Sequence, residues 1–211
     1  MRTRPLAIDL FCGLGGWTEG LLAEGYDVVG FDIERHVYGD HQYPAQLVQQ
    51  DVRTLHGRQF AGADLIVASP PCQGYSYRAL PWARARALPP PDNTLFDACF
   101  RLQQEASHAA GRPIPLVVEN VRGAERWVGR ARWHFGSFYL WGDVPALMPL
   151  AMQDRKNLKI GGGCHALRTM LDPAKHWSGS VGRKYASAMV AKIPPILSRH
   201  IAASWKPECA A

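Results

Sequence analysis

PLAIDLFCGLGGWTEGLLAEG, residues 5–25, joins an apolar run, a cluster of glycines and a second run that ends in glycine. Residues 5–11 predict a strand, and residues 15–25 predict a helix with a glycine stop. Glycines between a strand and a helix let backbone amides approach a ligand closely, and the positive N-terminus of the helix suits an anionic group. The cluster reads G-x-G-G rather than the G-x-G-x-x-G of dinucleotide binders. The segment therefore predicts a ligand-binding turn in an α/β sheet.

The alternation of strand and helix continues along the chain. Further strands are predicted at residues 26–32, 45–52, 63–68 and 115–120, and helices around residues 34–43 and from Thr94, with Asn93 or Thr94 as the cap. Alternating strands and helices indicate βαβ units, so we expect a mainly parallel sheet flanked by helices. Residues 80–92 are rich in proline and carry Arg84 and Arg86, which predicts a mobile basic loop.

The composition is typical of a globular protein. A chain of 211 residues with 47% hydrophobic residues can bury a core, and we expect one domain with a small appendage. No apolar stretch approaches the roughly 20 residues that span a bilayer, and the first residues lack the apolar segment of a secretion signal. We therefore expect a cytoplasmic protein with no membrane partner. The net charge of +6 favours a polyanionic partner such as nucleic acid.

The sequence SPPCQGYS, residues 69–76, places a cysteine directly after two prolines. Proline fixes φ and restricts the residue before it, so Pro70 and Pro71 would hold Cys72 in one place after the strand at residues 63–68. A thiol on a rigid loop is a candidate nucleophile. The alternative is a cysteine that serves as a small buried hydrophobic residue.

Three carboxylates follow predicted strands. Asp32 ends the second strand and could accept hydrogen bonds from ribose hydroxyls, and Asp51 could reach an adenine amine. Glu119 lies at the exit of the strand at residues 115–120. An acidic residue at the end of a strand can also simply cap a turn or a helix, and for each of the three this alternative stays open.

Three sequence blocks in this order, DLFCGLGG, SPPCQGYS and VVENV, resemble the signature blocks of DNA (cytosine-5) methyltransferases, which use S-adenosylmethionine. Residues 192–205, KIPPILSRHIAASW, resemble the C-terminal block of that family, which packs back beside the first glycine loop. The resemblance implies a Rossmann-like S-adenosylmethionine-dependent methyltransferase fold. It also implies an enzyme that methylates carbon 5 of cytosine in DNA.

The implied chemistry gives Cys72 and Glu119 separate roles. Carbon 5 of cytosine is a poor nucleophile, so the Cys72 thiolate would first add to carbon 6, while Glu119 donates a proton or hydrogen bond to ring nitrogen 3. After methyl transfer, the proton on carbon 5 leaves and Cys72 is released. Burial should raise the pKa of Glu119, and a nearby guanidinium or the loop amides should lower that of Cys72. A duplex substrate would require base flipping.

The resemblance assigns further residues to the site. The residues expected to contact the cofactor are Phe11, Gly13, Leu14, Gly15, Gly16, Asp32, Ile33, Asp51, Val52, Pro71 and Leu95. Those expected to contact DNA are Gln73, Ser76, Arg78, Arg84 and Arg86. Arg132 is a further candidate for the catalytic site because VGRAR, residues 128–132, is the best match to the Gln-x-Arg-x-Arg block of the family, although Val128 replaces its Gln.

The remaining expectations concern organisation and alternatives. Residues 1–145 and 190–206 would form the catalytic domain, and residues 146–189 a small basic insert that resembles a target-recognition region. Cys164, His165 and His176 do not form a paired zinc motif, so no metal is predicted. We expect a monomer from a phage or from bacterial restriction-modification. Methylation of single-stranded DNA or a nucleotide, and a non-catalytic regulator that binds cofactor and DNA, are the alternatives.

Overall fold

The computed structural model describes residues 4–76, 89–149, 177 and 180–207. The strands are β1 (Leu6–Leu10), β2 (Asp27–Asp32), β3 (Val37–Tyr38), β4 (His41–Gln42), β5 (Gln46–Gln49), β6 (Leu65–Ala68), β7 (Leu116–Asn120), β8 (Trp133–Phe135) and β9 (Phe138–Gly142). The helices are α1 (Gly16–Ala23), α2 (Thr94–Ala110), α3 (Glu125–Val128), α4 (Val181–Ala191) and α5 (Pro195–Ser204). Short 3-10 turns span Val52–Thr54, Gly57–Phe60 and Arg122–Ala124. No helix in these ranges is long and apolar enough to cross a membrane.

One sheet of seven strands organises the described part of the chain, in the order β5-β2-β1-β6-β7-β9-β8. The first five strands in this order are parallel, and β9 runs antiparallel to both of its neighbours. The mainly parallel, Rossmann-like fold is thus confirmed. The strand order reverses at the boundary between β1 and β6, and ligands of such sheets bind at the carboxyl ends of the strands beside this boundary.

The core lies on both faces of the sheet because alternate residues of a strand point to opposite faces. On one face, Ile8 and Leu10 of β1 belong to a buried cluster with Leu102 of α2. On the other face, Ala7 joins a cluster that includes Trp17 of α1. Burial of a large apolar side chain contributes about 1.5–3 kcal/mol, so both clusters stabilise the edge where the loops emerge.

The predicted helix around residues 34–43 is wrong. The chain forms an antiparallel hairpin there, with Val37 opposite Gln42 and Tyr38 opposite His41. Gly39 between the two strands has a φ of 58°, which glycine adopts without strain. Val and Tyr favour extended backbone, and Pro44, two residues after the hairpin, cannot continue a helix.

The hairpin of β8 and β9 was not among the predicted elements, and the strand predicted at residues 45–52 ends at Gln49. Asp51 instead caps the turn at Val52–Thr54 by accepting a hydrogen bond from the backbone N–H of Arg53 at 2.9 Å. The helix predicted from Thr94 is confirmed. The backbone N–H of Thr94 donates to the carboxylate of Asp92 at 2.9 Å. Asn93 directly precedes the helix, but its side chain makes no capping hydrogen bond.

The C-terminal block packs beside the glycine loop, as its resemblance to the family's C-terminal block implied. A Cβ atom on Gly16 would collide with the backbone nitrogen of Ile193, and one on Gly20 would collide with Ser198. The ammonium group of Lys192 donates to the carboxylate of Glu19 at 2.5 Å, which is a further contact between the C-terminal block and α1. The small residues of α1 therefore allow α5 to approach it closely.

Candidate active site

Loops that follow β1, β6 and β7 meet at one edge of the sheet. The backbone N–H of Ser69 donates to the carbonyl of Leu10 at 3.1 Å, and the indole N–H of Trp17 donates to the Ser69 hydroxyl at 3.0 Å. The amide of Asn120 donates to the carbonyl of Pro70 at 2.9 Å. These bonds fix the start of the Cys72 loop against the glycine loop on one side and against the end of β7 on the other.

Cys72 lies half-buried in a tight turn, in which the N–H of Tyr75 donates to its carbonyl at 3.0 Å. Burial, and secondly the negative charge of Glu119, raise the pKa of the Cys72 thiol above its usual range. The expectation that the pKa of Cys72 is lowered is therefore wrong for this state. Arg78, Arg84 and Arg86, the basic side chains predicted after this turn, lie outside the described residues.

Glu119 is the acidic partner of Cys72. Burial of its carboxyl group raises the pKa of Glu119 to about 8, although a hydrogen bond with the side chain of Ser69 acts in the opposite direction. The predicted direction of this shift is confirmed. At neutral pH Glu119 is mainly protonated, so its carboxyl group has a proton to donate.

Asn120 is 1% exposed and joins the two loops. While its amide nitrogen donates to Pro70, its carbonyl oxygen accepts from the N–H of Val121 at 2.8 Å. Both polar ends of this buried side chain are thereby satisfied, and the loops after β6 and β7 keep a fixed separation.

The glycine loop has an unusual backbone. Phe11, with a φ of 58°, lies in the left-handed region that favours glycine, and Gly13 and Gly15 follow with φ values of 50° and 80°. The N–H of Gly13 donates to Asp32 at 2.9 Å, so the end of β2 holds the loop. There is open space where a side chain of Gly13 would lie. A ligand can therefore approach this backbone closely.

The other predicted cofactor contacts differ in exposure. Ile33 is 67% exposed beyond β2, whereas Leu14 and Val52 are buried. Pro71 is exposed and Leu95 is half-buried at the start of α2. The carboxylate of Asp51 accepts from the guanidinium of Arg53 at 2.6 Å, and this pairing lowers the pKa of Asp51. The contacts of these residues with a cofactor stay predictions.

The remaining candidates are the residues predicted to contact DNA, Arg132 and the residues considered for zinc. Gln73 and Ser76 are exposed beside Cys72, as a contact with DNA requires. Arg132 is exposed just before β8, and its backbone N–H donates to the carbonyl of Leu140 at 2.8 Å. Cys164, His165 and His176 lie outside the described residues, and within the described ranges no cluster of three metal-ligating side chains occurs.

Sequence reasoning missed a buried polar group behind the glycine loop. Asp9 of β1 is 1% exposed and accepts from the Thr18 hydroxyl at 2.6 Å, and the hydroxyls of Thr18 and Tyr43 lie 2.7 Å apart. The available signal was an acidic residue within an otherwise apolar strand. Its partners come from α1 and from the segment after the unexpected hairpin, so spacing alone did not identify them.

Comparison with known proteins places these features in context. The sequence is 29% identical over 133 residues to the type II methyltransferase M.XorII of Xanthomonas oryzae pv. oryzae, a match that covers 57% of this chain and 29% of that protein. It is 30% identical over 125 residues to the type II methyltransferase M.DdeI of Desulfomicrobium norvegicum, with 55% and 28% covered. The chain thus spans less than a third of the length of either relative. A solved methyltransferase of Entamoeba histolytica, EhMeth, is 14% identical with a TM-score of 0.44, over 72% of this chain and 57% of that one.

The match to a known family covers the region that builds the site. Residues 6–126 match the family of C-5 cytosine-specific DNA methylases. They include the glycine loop, the Cys72 turn and the Glu119–Asn120 end of β7. The chain therefore belongs to the C-5 cytosine-specific DNA methylase family.

Proposed function

We propose that this chain methylates carbon 5 of cytosine in DNA through a transient bond between Cys72 and carbon 6 of the base. The observation that carries the proposal is a thiol and a carboxyl group placed after the neighbouring parallel strands β6 and β7, where the Asn120 amide donates to the carbonyl of Pro70 at 2.9 Å and joins the two loops. Burial gives Glu119 a pKa of about 8, and in its ionised form Glu119 raises the pKa of the Cys72 thiol. A nucleophile and an acid on neighbouring parallel strands are what addition to a cytosine ring requires.

The two groups act in sequence on the base. Cys72 loses its proton and its sulfur forms a bond to carbon 6, while Glu119 donates its proton to nitrogen 3 as electron density arrives there. A neutral Glu119 also removes the like-charge repulsion that opposes the thiolate. After carbon 5 has gained a methyl group, it gives its proton to solvent water, nitrogen 3 returns its proton to Glu119, the bond from sulfur to carbon 6 breaks, and the ring becomes aromatic again.

The residues near the glycine loop fit S-adenosylmethionine as the cofactor. When bound, it supplies an electrophilic methyl group on a sulfonium. The open space at Gly13 and the left-handed backbone of the loop leave room for its methionine part. Asp32 would accept from ribose hydroxyls, and Ile33 and Phe11 would contact the adenine or methionine portion.

DNA would meet the same edge of the sheet. Cytosine inside a duplex does not expose carbon 6 to a thiol, so the base must leave the stack before Cys72 attacks. Gln73 and Ser76 beside Cys72 would contact the flipped nucleotide or its neighbours, and the basic residues 78, 84 and 86 would hold phosphates. Residues 146–189 would form the target-recognition insert, and α4 begins at Val181 near its end. We propose a monomer in the cytoplasm of a bacterium or a phage-infected host.

The direct test is mass spectrometry of nucleosides after incubation of purified protein with S-adenosylmethionine and duplex DNA, single-stranded DNA or dCMP. We expect a gain of one methyl group on deoxycytidine in duplex DNA, lost in Cys72→Ala and retained in Cys209→Ala, which removes a thiol outside the three sequence blocks. If only single-stranded DNA or only dCMP is methylated, that molecule and not duplex DNA is the substrate. Unmodified cytosine on all three substrates would contradict the enzymatic proposal.

A trapping experiment tests the covalent step by itself. With 5-fluorocytosine in the DNA, carbon 5 has no proton to lose after methyl transfer, so Cys72 stays bonded to carbon 6. We expect a complex that survives denaturation with the wild-type chain and not with Cys72→Ser. Methylation without any trapped complex would contradict the role of Cys72.

A further inference from the structure

Arginines are concentrated in the segment that follows β7. Residues 122–132 include four of them, all exposed: Arg122, Arg126, Arg130 and Arg132. The one acidic side chain in this segment is Glu125, whose carboxylate accepts from the backbone N–H of Ala131 at 3.1 Å. Because β7 ends beside the loop that carries Cys72, this positive charge lies next to the candidate active site.

These four arginines lack the carboxylate partners that many other arginines of the chain have. Among the described residues, none of the four forms a salt bridge. Five arginines elsewhere pair with an acid at 2.6–3.8 Å: Arg4, Arg53, Arg101, Arg112 and Arg199. The other described arginines without such a partner are dispersed, at positions 35, 58 and 183. A local concentration of uncompensated positive charge attracts a polyanion.

Arg122 and Arg126 lie on one continuous helical segment. The 3-10 turn at Arg122–Ala124 passes directly into α3, and both Ala124 and Glu125 have right-handed helical backbone at the junction. Side chains four residues apart on a helix are neighbours, with Cβ atoms about 5–6 Å apart. The two guanidinium groups can therefore reach two phosphate groups of one DNA strand.

Trp127 orders the side chain of Arg126. The guanidinium carbon of Arg126 lies over the Trp127 ring, 5.0 Å from its centroid. Trp127 packs against the buried cluster that contains Leu102, and its carbonyl accepts from the amide of Asn93 at 3.3 Å. A guanidinium that stacks on a ring uses its flat face, so the N–H groups on its edge stay available to the oxygens of a phosphate.

We propose that Arg122 and Arg126 bind two backbone phosphates of DNA beside the target cytosine. This inference rests on the proposed function, because it takes DNA as the substrate. It adds a phosphate-binding surface on the Glu119 side of the site, separate from the basic residues expected after Cys72. Contacts with phosphates carry no direct sequence information, so these two arginines hold the DNA in position while the base enters between Cys72 and Glu119.

The test is the salt dependence of DNA affinity, measured by fluorescence anisotropy on a labelled duplex without S-adenosylmethionine, so that no methyl group is transferred. Each phosphate contact contributes about 0.9 to the slope of log affinity against log salt concentration. We expect Arg122→Gln/Arg126→Gln to reduce the slope by about 1.8 and to weaken binding on the order of tenfold near physiological salt. Arg122→Lys/Arg126→Lys keeps both charges and should retain most of the wild-type slope.

Arg4→Gln/Arg58→Gln is the matched control. It removes the same charge from two exposed arginines that precede β1 and β6, toward the opposite edge of the sheet, and it should keep the wild-type slope. Should the double glutamine variant fail to fold, Arg122→Gln and Arg126→Gln alone should each reduce the slope by about 0.9.

Two results would overturn the inference. One is a wild-type slope in the glutamine variants of Arg122 and Arg126, and the other is an equal reduction in the Arg4→Gln/Arg58→Gln control. A wild-type chain that does not bind DNA would overturn both this inference and the proposed function. Binding with the expected slopes but without methylation of cytosine would support the phosphate contacts and contradict only the proposed function.

Discussion

Asp9 and Glu119, both in the described part of the chain, have a pKa raised by the same cause in different surroundings. Glu119, after β7, and Asp9, within β1, both have a pKa raised mainly by burial, to about 8 and about 7 respectively. Glu119 lies close enough to Cys72 for its charge to act on the thiol, whereas Asp9 is next to the hydroxyl groups of Thr18 and Tyr43. Desolvation favours the protonated form of both acids, beside a catalytic thiol in the first place and beside hydroxyl groups in the second. The neighbours of a buried acid, more than its burial, therefore determine what it can do.

Of the substitutions that test this comparison, Glu119→Gln should have the largest effect, and the effect is on the methylation rate. Glutamine keeps a hydrogen-bond donor but has no proton to transfer, so we expect methylation to fall about 10²–10⁴-fold. In the wild type, methylation should also decline above about pH 8, where Glu119 loses its proton. That alkaline decline should be absent in the variant. Methylation rates between pH 6 and pH 9.5 measure both effects, and an unchanged alkaline decline in Glu119→Gln would assign it to another group.

Asp9→Asn should change the pH dependence of folding stability. The pKa of Asp9 is about 7 in the folded chain and near 4 in an unfolded one. The folded state therefore holds a proton that the unfolded state has released between these values, and stability falls as pH rises from 4 to 7. The shift corresponds to a free energy on the order of 4 kcal/mol. Urea titrations at pH 4.5 and pH 7 should show a larger loss in the wild type than in Asp9→Asn, in which the loss due to Glu119 stays. Equal loss in both would place the proton elsewhere.

Asn120→Ala tests the rigidity of the region around Cys72. The substitution removes the donor to Pro70 and the acceptor for Val121, and we expect it to lower the free energy of unfolding by about 1–3 kcal/mol. Methylation should fall while the affinity for S-adenosylmethionine stays near the wild-type value, because the glycine loop keeps its own contacts. An equal loss of methylation and of affinity for S-adenosylmethionine would show that the Cys72 loop and the glycine loop depend on each other.

Asp51→Asn should have the smallest effect on stability. Asp51 and Arg53 form an ion pair in contact with solvent, and such pairs contribute little to stability. A change in cofactor affinity well beyond the change in stability would support the predicted contact of Asp51 with adenine. No change in affinity, measured beside the stability, would remove Asp51 from the cofactor site.

The sequence predicted the parts of the fold that depend on local chemistry. Apolar runs identified β1, β2, β6 and β7, and the order of the three sequence blocks identified Cys72 and Glu119 as a pair. Residues 34–43 were mispredicted because Gly39 and Pro44 interrupt a stretch without a clear period. The raised pKa of Cys72 depends on burial and on Glu119, which is 47 positions away in the sequence. Such effects require the tertiary arrangement.

The packing of α5 on α1 has a consequence for synthesis on the ribosome. Arg199 of α5 donates to Glu24 just after α1 at 2.9 Å, across a sequence separation of 175 residues. At about 5–20 residues per second, translation delays this contact by roughly 10–40 s after α1 is made. In the interval, Trp17 and Leu21 of α1 lack part of their apolar cover. The helix that follows the glycine loop therefore gains its packing against α5 only late in synthesis. A chaperone that shields the apolar side chains of α1 would act before α5 is made.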